Sequence, residues 1–245
     1  RQASNIGGNP NFDFVRKKAR GIYFMLLGDD DWIDPGLIQS CVQFLEDNPD
    51  HIAAGGRTFY YREDGTKFEG IPLSIQSNDP GIRILNTIAE VIDAGTFYAL
   101  YRTELAIRIP YFYAWGCDYY FICEAAYYGK IQTLSDVACH RIDKSHLQSI
   151  DASLRSGGIV NEQGLDPYGA IASIVFWRIA CNGNVFKQLK DWDRIRIAAS
   201  AAEVVSQRWS ITGEADLLKI ATDLFSDQDL LAEYHALRTR IMSEW

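Results

Sequence analysis

The fold is decided by the stretch Ile22-Tyr23-Phe24-Met25-Leu26-Leu27-Gly28-Asp29-Asp30-Asp31-Trp32, where an apolar run ends in three consecutive aspartates. A run that is apolar on both faces predicts a buried strand that is parallel to its neighbours. A helical pattern precedes the run, and Asp34-Pro35-Gly36 begins a second helix, with Asp34 as its expected cap. The order helix, buried strand, acidic loop, helix is half of a doubly wound α/β sheet, in which ligands bind at the carboxyl ends of the strands.

The α/β pattern continues over the first 150 residues of the chain. The spacing of apolar residues predicts strands at 52–61, 67–71, 96–101 and 130–134, and helices at 80–92 and 118–128. A polar, glycine-bearing segment at 143–166 is typical of a long loop, and helical patterns follow from residue 167 onward. We therefore predict two domains, an α/β domain over 1–150 and an α-helical C-terminal region over 151–245.

Composition and charge exclude several classes of partner. With 47% hydrophobic and 23% charged residues, the sequence is that of an ordinary globular protein. The net charge of −8 and the absence of a basic stripe in the sequence predict that nucleic acid is not a partner. Five scattered cysteines without a CxxC pair indicate neither a disulfide framework nor a zinc site, and favour a reducing, cytoplasmic location. A peripheral contact of the helical tail with the inner face of the membrane stays open beside ordinary core packing.

The three aspartates of the acidic loop predict a site for a divalent cation. Adjacent carboxylates raise one another's pKa values unless a counter-charge is present. Hard oxygen ligands suit Mg²⁺ or Mn²⁺, which take one or two carboxylates and complete their shell with substrate phosphates and water. The alternative is a solvated acidic turn without a ligand, and the residue types alone leave both interpretations open.

Segments that occur in a fixed order carry a family resemblance: Asn5-Ile6-Gly7-Gly8-Asn9-Pro10-Asn11-Phe12, Ala19-Arg20-Gly21-Ile22-Tyr23, Leu26-Leu27-Gly28-Asp29-Asp30-Asp31-Trp32, and Pro35. Together they resemble the family 2 glycosyltransferases of the A-type fold. That resemblance implies a Rossmann-like nucleotide-diphospho-sugar transferase fold, with a mostly parallel central sheet, helices on both faces and a helical extension. The sequence begins with Arg1 and a helical pattern, so we expect that 1–150 is a catalytic domain without its first strands.

The resemblance also implies roles for individual residues. Asp29 resembles the residue that faces the nucleoside ribose, Asp30 the residue that coordinates the metal bridging the diphosphate, and Asp31 a second metal-site residue. In the segment before the first helix, the implied donor-binding residues are Asn5, Gly7 and Asn11. Gly28 stands where many relatives have an additional aspartate, which leaves the division of roles within the acidic loop open.

A second carboxylate, Asp118, is the predicted catalytic base. Trp115-Gly116-Cys117-Asp118 resembles the family's G-E-D segment at a helix start, with Cys117 in place of the glutamate. A glycosyl transfer needs a base within reach of the acceptor hydroxyl. The alternative is that Asp118 only caps a helix, a role that aspartate often fills.

His140 and Arg141 follow the last predicted strand of the α/β domain. In relatives, a His or Arg near this point often reaches the diphosphate or the metal, so both are predicted to bind the donor. A solvent-facing polar loop is the alternative for this pair.

These residues and the family resemblance predict a metal-dependent glycosyltransferase, and the resemblance alone implies that it inverts configuration and acts in surface polysaccharide biosynthesis. Its donor is a nucleotide-diphosphate sugar and its acceptor is a saccharide or a lipid-linked saccharide. The substitutions at Gly28 and Cys117 keep a second hypothesis open, a catalytically inactive sugar- or nucleotide-binding module on the same fold. A metal-dependent phosphohydrolase is a third hypothesis, disfavoured because the aspartates do not lie on an opening strand with the spacing of a nucleophile. The sequence leaves the oligomeric state undetermined.

Overall fold

The computed structural model of the chain describes residues 4–111, 116–143, 175–176, 178–180, 183–186 and 188–209. The chain divides into two compact units, Arg1–Asn161 and Glu162–Trp245. The boundary that the sequence predicts at residue 150 lies outside the described residues and stays a prediction.

The first unit alternates helices and strands along the chain. Its described helices are α1 (Gly8–Lys18), α2 (Leu37–Asp47), α3 (Pro80–Glu90), α4 (Thr103–Ala106) and α5 (Cys117–Tyr128). Its described strands are β1 (Tyr23–Met25), β2 (Trp32–Ile33), β3 (His51–Tyr61), β4 (Lys67–Glu69), β5 (Leu100–Arg102) and β6 (Lys130–Ile142), and a 3₁₀ helix spans Gly95–Tyr98. The predicted order of helix, strand, acidic loop and helix is therefore present as α1, β1, the loop and α2, with the short strand β2 between the loop and α2.

The strands form one mixed sheet in the order β1-β5-β3-β6-β2, and β4 pairs with β3. Of the described pairs, β3 and β6 run parallel, and the others are antiparallel. The α/β class is confirmed, whereas the expectation of a mostly parallel sheet is corrected. In particular, β1 runs antiparallel to β5, with Tyr23 opposite Arg102. The prediction of a buried strand is also wrong, because β1 lies at the end of the strand order and Ile22 and Leu27 on either side of it are exposed.

Helices cover both faces of this sheet. Neighbouring residues of a strand point to opposite faces, so the apolar strands present two faces for helices to cover. On one face, α5 packs Phe121 and Ile122 into a core that includes Ala53 and Tyr101 of the sheet. The other face is covered by α2, which adds the side chains of Leu37, Cys41 and Leu45 to a core with Ala54, Leu100 and Val137. Full burial of each large apolar side chain stabilises the fold by about 1.5–3 kcal/mol.

Two predicted strands differ from the observed ones. The segment 96–101, expected to be extended, begins with the 3₁₀ helix, and only Leu100–Arg102 forms a strand. The strand expected at 130–134 continues to Ile142. The exposed pair Ser135 and Asp136 interrupts its apolar pattern and hides this continuation from the sequence.

Helical structure in the second unit agrees with the predicted helical region. The described helices there span Gly183–Phe186 and Asp191–Trp209. The helical patterns predicted after residue 209 and the loop predicted at 144–166 lie outside the described residues. Among the helices that the structure describes, none is both long enough and apolar enough to cross a membrane.

Arg83 of α3 joins this helix to the end of α5. It is buried and donates from Nε to the carbonyl oxygen of Ala126 at 2.6 Å and from Nη2 to that of Tyr127 at 2.8 Å. Its Nη1 donates to the carbonyl oxygens of Ser77 and Asn78, each at 3.0 Å. The last carbonyls of a helix have no partner within it, so this guanidinium satisfies acceptors at the end of α5 and in the turn before α3.

Replacing Arg83 with methionine removes these bonds while keeping a side chain of similar length. We expect Arg83→Met to lower the free energy of unfolding by on the order of 3 kcal/mol, because buried carbonyls lose their donor. Urea unfolding followed by circular dichroism measures the change. The matched control is Arg20→Met at an exposed position, which should change stability by less than about 0.5 kcal/mol. Equal effects of the two substitutions would contradict this role of Arg83.

Candidate active site

The acidic loop divides its three carboxylates between solvent and interior. Asp29 and Asp30 are exposed, whereas the side chain of Asp31 is 3% exposed. Asp31 Oδ2 accepts from Arg141 Nε at 3.2 Å, and its Oδ1 accepts from the backbone N–H of Ile142 at 3.1 Å. The strand that follows the loop, β2, pairs with β6 and places Trp32 opposite His140, so the preceding residue Asp31 lies beside Arg141.

Gly28 leaves room for the carboxylates of this loop. A Cβ atom at position 28 would lie 2.7 Å from Asp31 Oδ2 and 3.2 Å from Asp30 Oδ1. The first distance is shorter than a van der Waals contact allows. The glycine that departs from the family pattern is therefore the residue that lets Asp31 fold back onto Arg141.

Arg141 is held by aromatic rings as well as by Asp31. The centre of its guanidinium lies 3.7 Å from the centroid of the Tyr98 ring and 5.7 Å from that of Tyr60, within the range of cation–π interaction. Burial alone would lower the pKa of Arg141, but the neighbouring Tyr98, Tyr60 and Asp31 outweigh it and raise that pKa. We call Asp31, Arg141, Tyr98 and Tyr60 the Arg141 cluster, in which the cation of Arg141 is paired with the carboxylate of Asp31.

Asp118 lies in the first turn of α5, near the Arg141 cluster. Burial raises the pKa of Asp118, against the lowering effect of backbone N–H groups and of Arg141. Burial also raises the pKa of Tyr98 to about 12, and the charges of both Asp118 and Asp31 add to that rise. The residue at the cap position of α5 is Gly116, although Asp118 Oδ1 does accept from the backbone N–H of Tyr119 at 3.0 Å. The carboxylate is thus a half-buried group beside a cation, in addition to its bond at the helix start.

The first turns of α1 and α5 meet at a small polar cluster. Asn9 Oδ1 lies 3.4 Å from Cys117 Sγ and 3.4 Å from the hydroxyl of Tyr111, which in turn lies 3.4 Å from Cys117 Sγ. Asn9 stands inside α1, which Gly7 precedes as the cap residue. Burial raises the pKa of Cys117 to about 12, so its thiol is neutral and cannot replace the glutamate of the family pattern as a base.

Of the predicted donor-binding residues, Asn5 and Gly7 lie in the turn before α1 and Asn11 lies within the helix. Asn5 Oδ1 accepts from the backbone N–H of Gly7 at 2.9 Å, and Gly7 has a φ of 86°, which favours glycine. Asn11 is exposed and donates its backbone N–H to Gly7 O. The turn before α1 is therefore close in sequence and space to Asn9, which contacts the residue next to Asp118.

His140 lies apart from Arg141, because consecutive strand residues point to opposite faces of the sheet. Its Nδ1 lies 2.9 Å from the Tyr61 hydroxyl and its Nε2 lies 3.0 Å from Asp34 Oδ1. Its ring stacks on Trp32 at a centroid distance of 5.1 Å. The structure thus brings Arg141 and Asp31 into contact. Burial raises the pKa of Asp118 and the charge of Arg141 lowers it, whereas the His140 side chain lies on the other face of the sheet.

Asp34 differs from its expected role as the cap of α2. Its carboxylate accepts from the backbone N–H of Ala138 at 2.8 Å and contacts His140, while the cap residue of α2 is Gly36. The start of α2 has no side-chain cap hydrogen bond. The Asp34 carboxylate instead bonds to two residues of β6 and ties the segment after the acidic loop to that strand.

The comparisons with known proteins agree with this architecture. Residues 1–109 match the family model Glycosyl transferase family 2. This segment, somewhat less than half of the chain, is therefore similar to that family. The match contains the acidic loop and ends before Cys117, Asp118 and Arg141, so the placement of those residues rests on geometry. A search of curated proteins found no match.

Among solved structures, the crystal structure of TarS from S. aureus is similar to the chain. The TM-score is 0.50 with 16% sequence identity, and the similarity covers 86% of this chain and 33% of that chain. At this identity the likeness shows the fold alone. The chain spans about one third of the length of TarS.

The residues that sequence reasoning missed are Tyr98, Tyr60 and Asn9. Tyr98 and Tyr60 touch Arg141 from positions far along the chain, and neither belongs to a motif with a fixed spacing. Asn9 did stand in the family-like segment, but its proline neighbour favoured a cap over a position inside the helix. The turn-forming Gly95 before the 3₁₀ helix is the available signal that Tyr98 does not continue a strand.

Substitution of Gly28 tests the packing of the acidic loop. We expect Gly28→Ala to displace the Asp31 carboxylate from Arg141 and Ile142 and to lower the free energy of unfolding by about 1–3 kcal/mol. Gly8→Ala is the matched control, because a Cβ atom at position 8 meets nothing within 4 Å.

A double-mutant cycle shows whether the effect passes through Asp31. In an Asp31→Ala background, Gly28→Ala should cost less than about 0.5 kcal/mol, since no carboxylate remains to be displaced. An unchanged cost in that background would show that the added methyl group acts elsewhere.

Proposed function

We propose that the chain is an inverting glycosyltransferase that moves a sugar from a nucleotide-diphosphate donor to an acceptor hydroxyl. The observation that carries this proposal is the arrangement of two carboxylates with opposite environments around one cation. Asp118 is shielded and has a raised pKa, whereas Asp31 is bound to Arg141. A transfer reaction needs both a base and a centre of positive charge for the leaving group.

Asp118 is the group best suited to take the proton of the acceptor hydroxyl. A carboxylate whose pKa lies above the ordinary value is a stronger base, and one that is still ionised near neutral pH combines basicity with the right protonation state. In the proposed reaction, the acceptor oxygen attacks the anomeric carbon as Asp118 takes its proton. The nucleoside diphosphate departs from the opposite side, so a single displacement inverts the configuration.

Hydrogen-bond donors for the departing diphosphate come from the protein itself. Asp31 uses the Nε–H of Arg141, and a guanidinium has further donors on its terminal nitrogens for other acceptors. The first turns of α1 and α5 meet near Asn9 and Cys117, and helix N-termini favour anions. These donors are held before substrate arrives, which is the condition for efficient electrostatic stabilisation.

The donor set of the acidic loop is compatible with a divalent cation. Asp29 and Asp30 present exposed carboxylates, while Asp31 is engaged by Arg141. Within the described ranges, no three His, Cys, Asp or Glu side chains form a group that could hold a metal ion alone. Mg²⁺ and Mn²⁺ commonly need only one or two carboxylates together with substrate phosphates. We propose that Asp30, with Asp29 beside it, holds such an ion, which when bound offsets the charge of the diphosphate.

The acceptor is proposed to be a saccharide or lipid-linked saccharide in surface polysaccharide biosynthesis. The experiment that tests the function incubates the protein with Mn²⁺ and a panel of nucleotide-diphosphate sugars, with and without candidate saccharide acceptors. Release of nucleoside diphosphate that requires both Mn²⁺ and an acceptor is the expected result. Donor binding without release in any combination would support the inactive binding module instead. Release of inorganic phosphate without an acceptor would indicate a phosphohydrolase.

Replacing Asp118 with asparagine should move activity and stability in opposite directions. We expect Asp118→Asn to lower kcat by about 10²–10⁴-fold, as truncation of a positioned base typically does. Because the folded-state pKa of Asp118 is raised, its ionisation destabilises the native state as pH rises above the ordinary aspartate value. The variant should therefore be more stable than the wild type at neutral pH, and the difference should vanish near pH 3.

The measurements are donor turnover and urea unfolding at a series of pH values. Wild-type kcat/KM should fall on the acid side with a midpoint above the ordinary pKa of aspartate, which is about 4. Asp136→Asn at an exposed position is the matched control and should leave turnover unchanged. Turnover of Asp118→Asn at the wild-type rate would exclude Asp118 as the base.

A further inference from the structure

Tyr98 and Arg141 form the closest cation–aromatic contact described in the chain. The guanidinium centre lies 3.7 Å from the ring centroid, whereas the other such contacts range from 4.4 to 5.9 Å. At this separation the planar guanidinium is in van der Waals contact with the ring face. The ring therefore limits how the guanidinium can tilt.

We infer that Tyr98 is a positioning residue for the proposed transfer reaction, acting through Arg141 on the nucleoside diphosphate. Its ring face holds the guanidinium in one plane, while Asp31 fixes the Nε edge at 3.2 Å. With one face and one edge held, the terminal nitrogens of Arg141 keep a fixed direction. This inference rests on the proposed function.

The turn that carries Tyr98 is itself firmly held. Asp93 Oδ1 accepts from the backbone N–H of Gly95 at 2.8 Å and from the hydroxyl of Tyr60 at 2.7 Å. Its Oδ2 accepts from the backbone N–H of Ile71 at 2.7 Å. A Cβ atom at position 95 would lie 2.5 Å from Thr58 Oγ1, so only glycine fits where the 3₁₀ helix meets β3. A ring on so constrained a turn can orient the cation that lies on it.

The location of Tyr98 fits a role in orientation better than a role in chemistry. Its pKa is raised to about 12, so the hydroxyl stays protonated and is a poor base at neutral pH. Besides burial, the charges of both Asp118 and Asp31 raise that pKa, so both carboxylates act on this ring electrostatically. A guanidinium free to tilt could form an ion pair with Asp118 and reduce its basicity. The stacked ring opposes that movement.

Two substitutions at position 98 separate the ring face from the hydroxyl. Tyr98→Phe keeps the face and should bind a nucleoside diphosphate with Mn²⁺ within about twofold of the wild type. Tyr98→Leu removes the face and should weaken that binding by about 5–30-fold, the range expected for a partly buried cation–π contact. Isothermal titration calorimetry first tests UDP, GDP, CDP and TDP against the wild type. The nucleotide that binds is then titrated into both variants.

Arg141→Lys provides a second test that does not depend on how well Tyr98→Leu folds. Lysine keeps the charge but lacks the planar group that stacks on the ring, so it should weaken nucleotide binding to a similar extent. In an Arg141→Met background, Tyr98→Leu should have no further effect, since the ring no longer has a cation to orient. Near-normal binding by either Tyr98→Leu or Arg141→Lys would overturn the inference.

Turnover supplies a readout that a purely structural role would not change selectively. We expect Tyr98→Leu to raise KM for the donor and to shift the acid limb of kcat toward lower pH, because the released guanidinium approaches Asp118. Tyr98→Phe should keep both the KM for the donor and the acid limb of kcat at their wild-type values. If the wild type binds none of the nucleoside diphosphates and turns over no donor, the proposed function fails. If it binds one and Tyr98→Leu binds it equally well, only the role of Tyr98 fails.

Discussion

The ion pair between Asp31 and Arg141 joins the acidic loop to the end of β6, and the arrangement of the candidate site depends on it. Removing two charges from water costs several kcal/mol per ion unless further bonds compensate. Here Ile142 donates its backbone N–H to the carboxylate, and the rings of Tyr98 and Tyr60 face the guanidinium. Both charges therefore have partners beyond each other. The ion pair fixes the positions of Asp31 and Arg141 more than it adds stability. Loss of either partner would leave a shielded charge without its counter-ion.

The two-residue period of β6 sorts its polar side chains into separate groups. Arg141 faces the side of the sheet that carries Tyr98 and Tyr60, while His140 faces Trp32, Tyr61 and Asp34. Cross-strand stacking and hydrogen bonds on the His140 side hold β2 against β6. That pairing in turn fixes the residue before β2, which is Asp31. The contacts of His140 on one face thus support the Arg141 cluster on the other face. Among the described residues, this support passes through the backbone of β2 and β6.

Local patterns predicted the elements, whereas contacts between distant segments had to be observed. Asp79-Pro80 predicts a helix start, and the Asp79 carboxylate does accept from the backbone N–H of Ile82 at 2.9 Å. The apolar run after α1 likewise predicts β1 and the loop that follows it. Three features depend on residues that are far apart in sequence: the strand directions, the full length of β6 and the stacking of Arg141 on Tyr98. The periodicity of a single sequence is a local signal and does not show which distant residues meet. The family-like segments reach Asp29, Asp30 and Asp31, but they do not reveal that Asp31 folds back onto an arginine.

In the proposed function, the charge balance at the acidic loop explains how one site would bind both a divalent cation and a diphosphate. With Asp31 neutralised by Arg141, the formal charge left on the loop is that of Asp29 and Asp30. Two exposed carboxylates match one divalent cation, and a diphosphate would complete its coordination shell. An Asp31 carboxylate without Arg141 would instead add a negative charge that repels the diphosphate at short range. If the proposed function holds, Gly28 favours nucleotide binding indirectly, because it leaves room for the Asp31 carboxylate to turn toward Arg141.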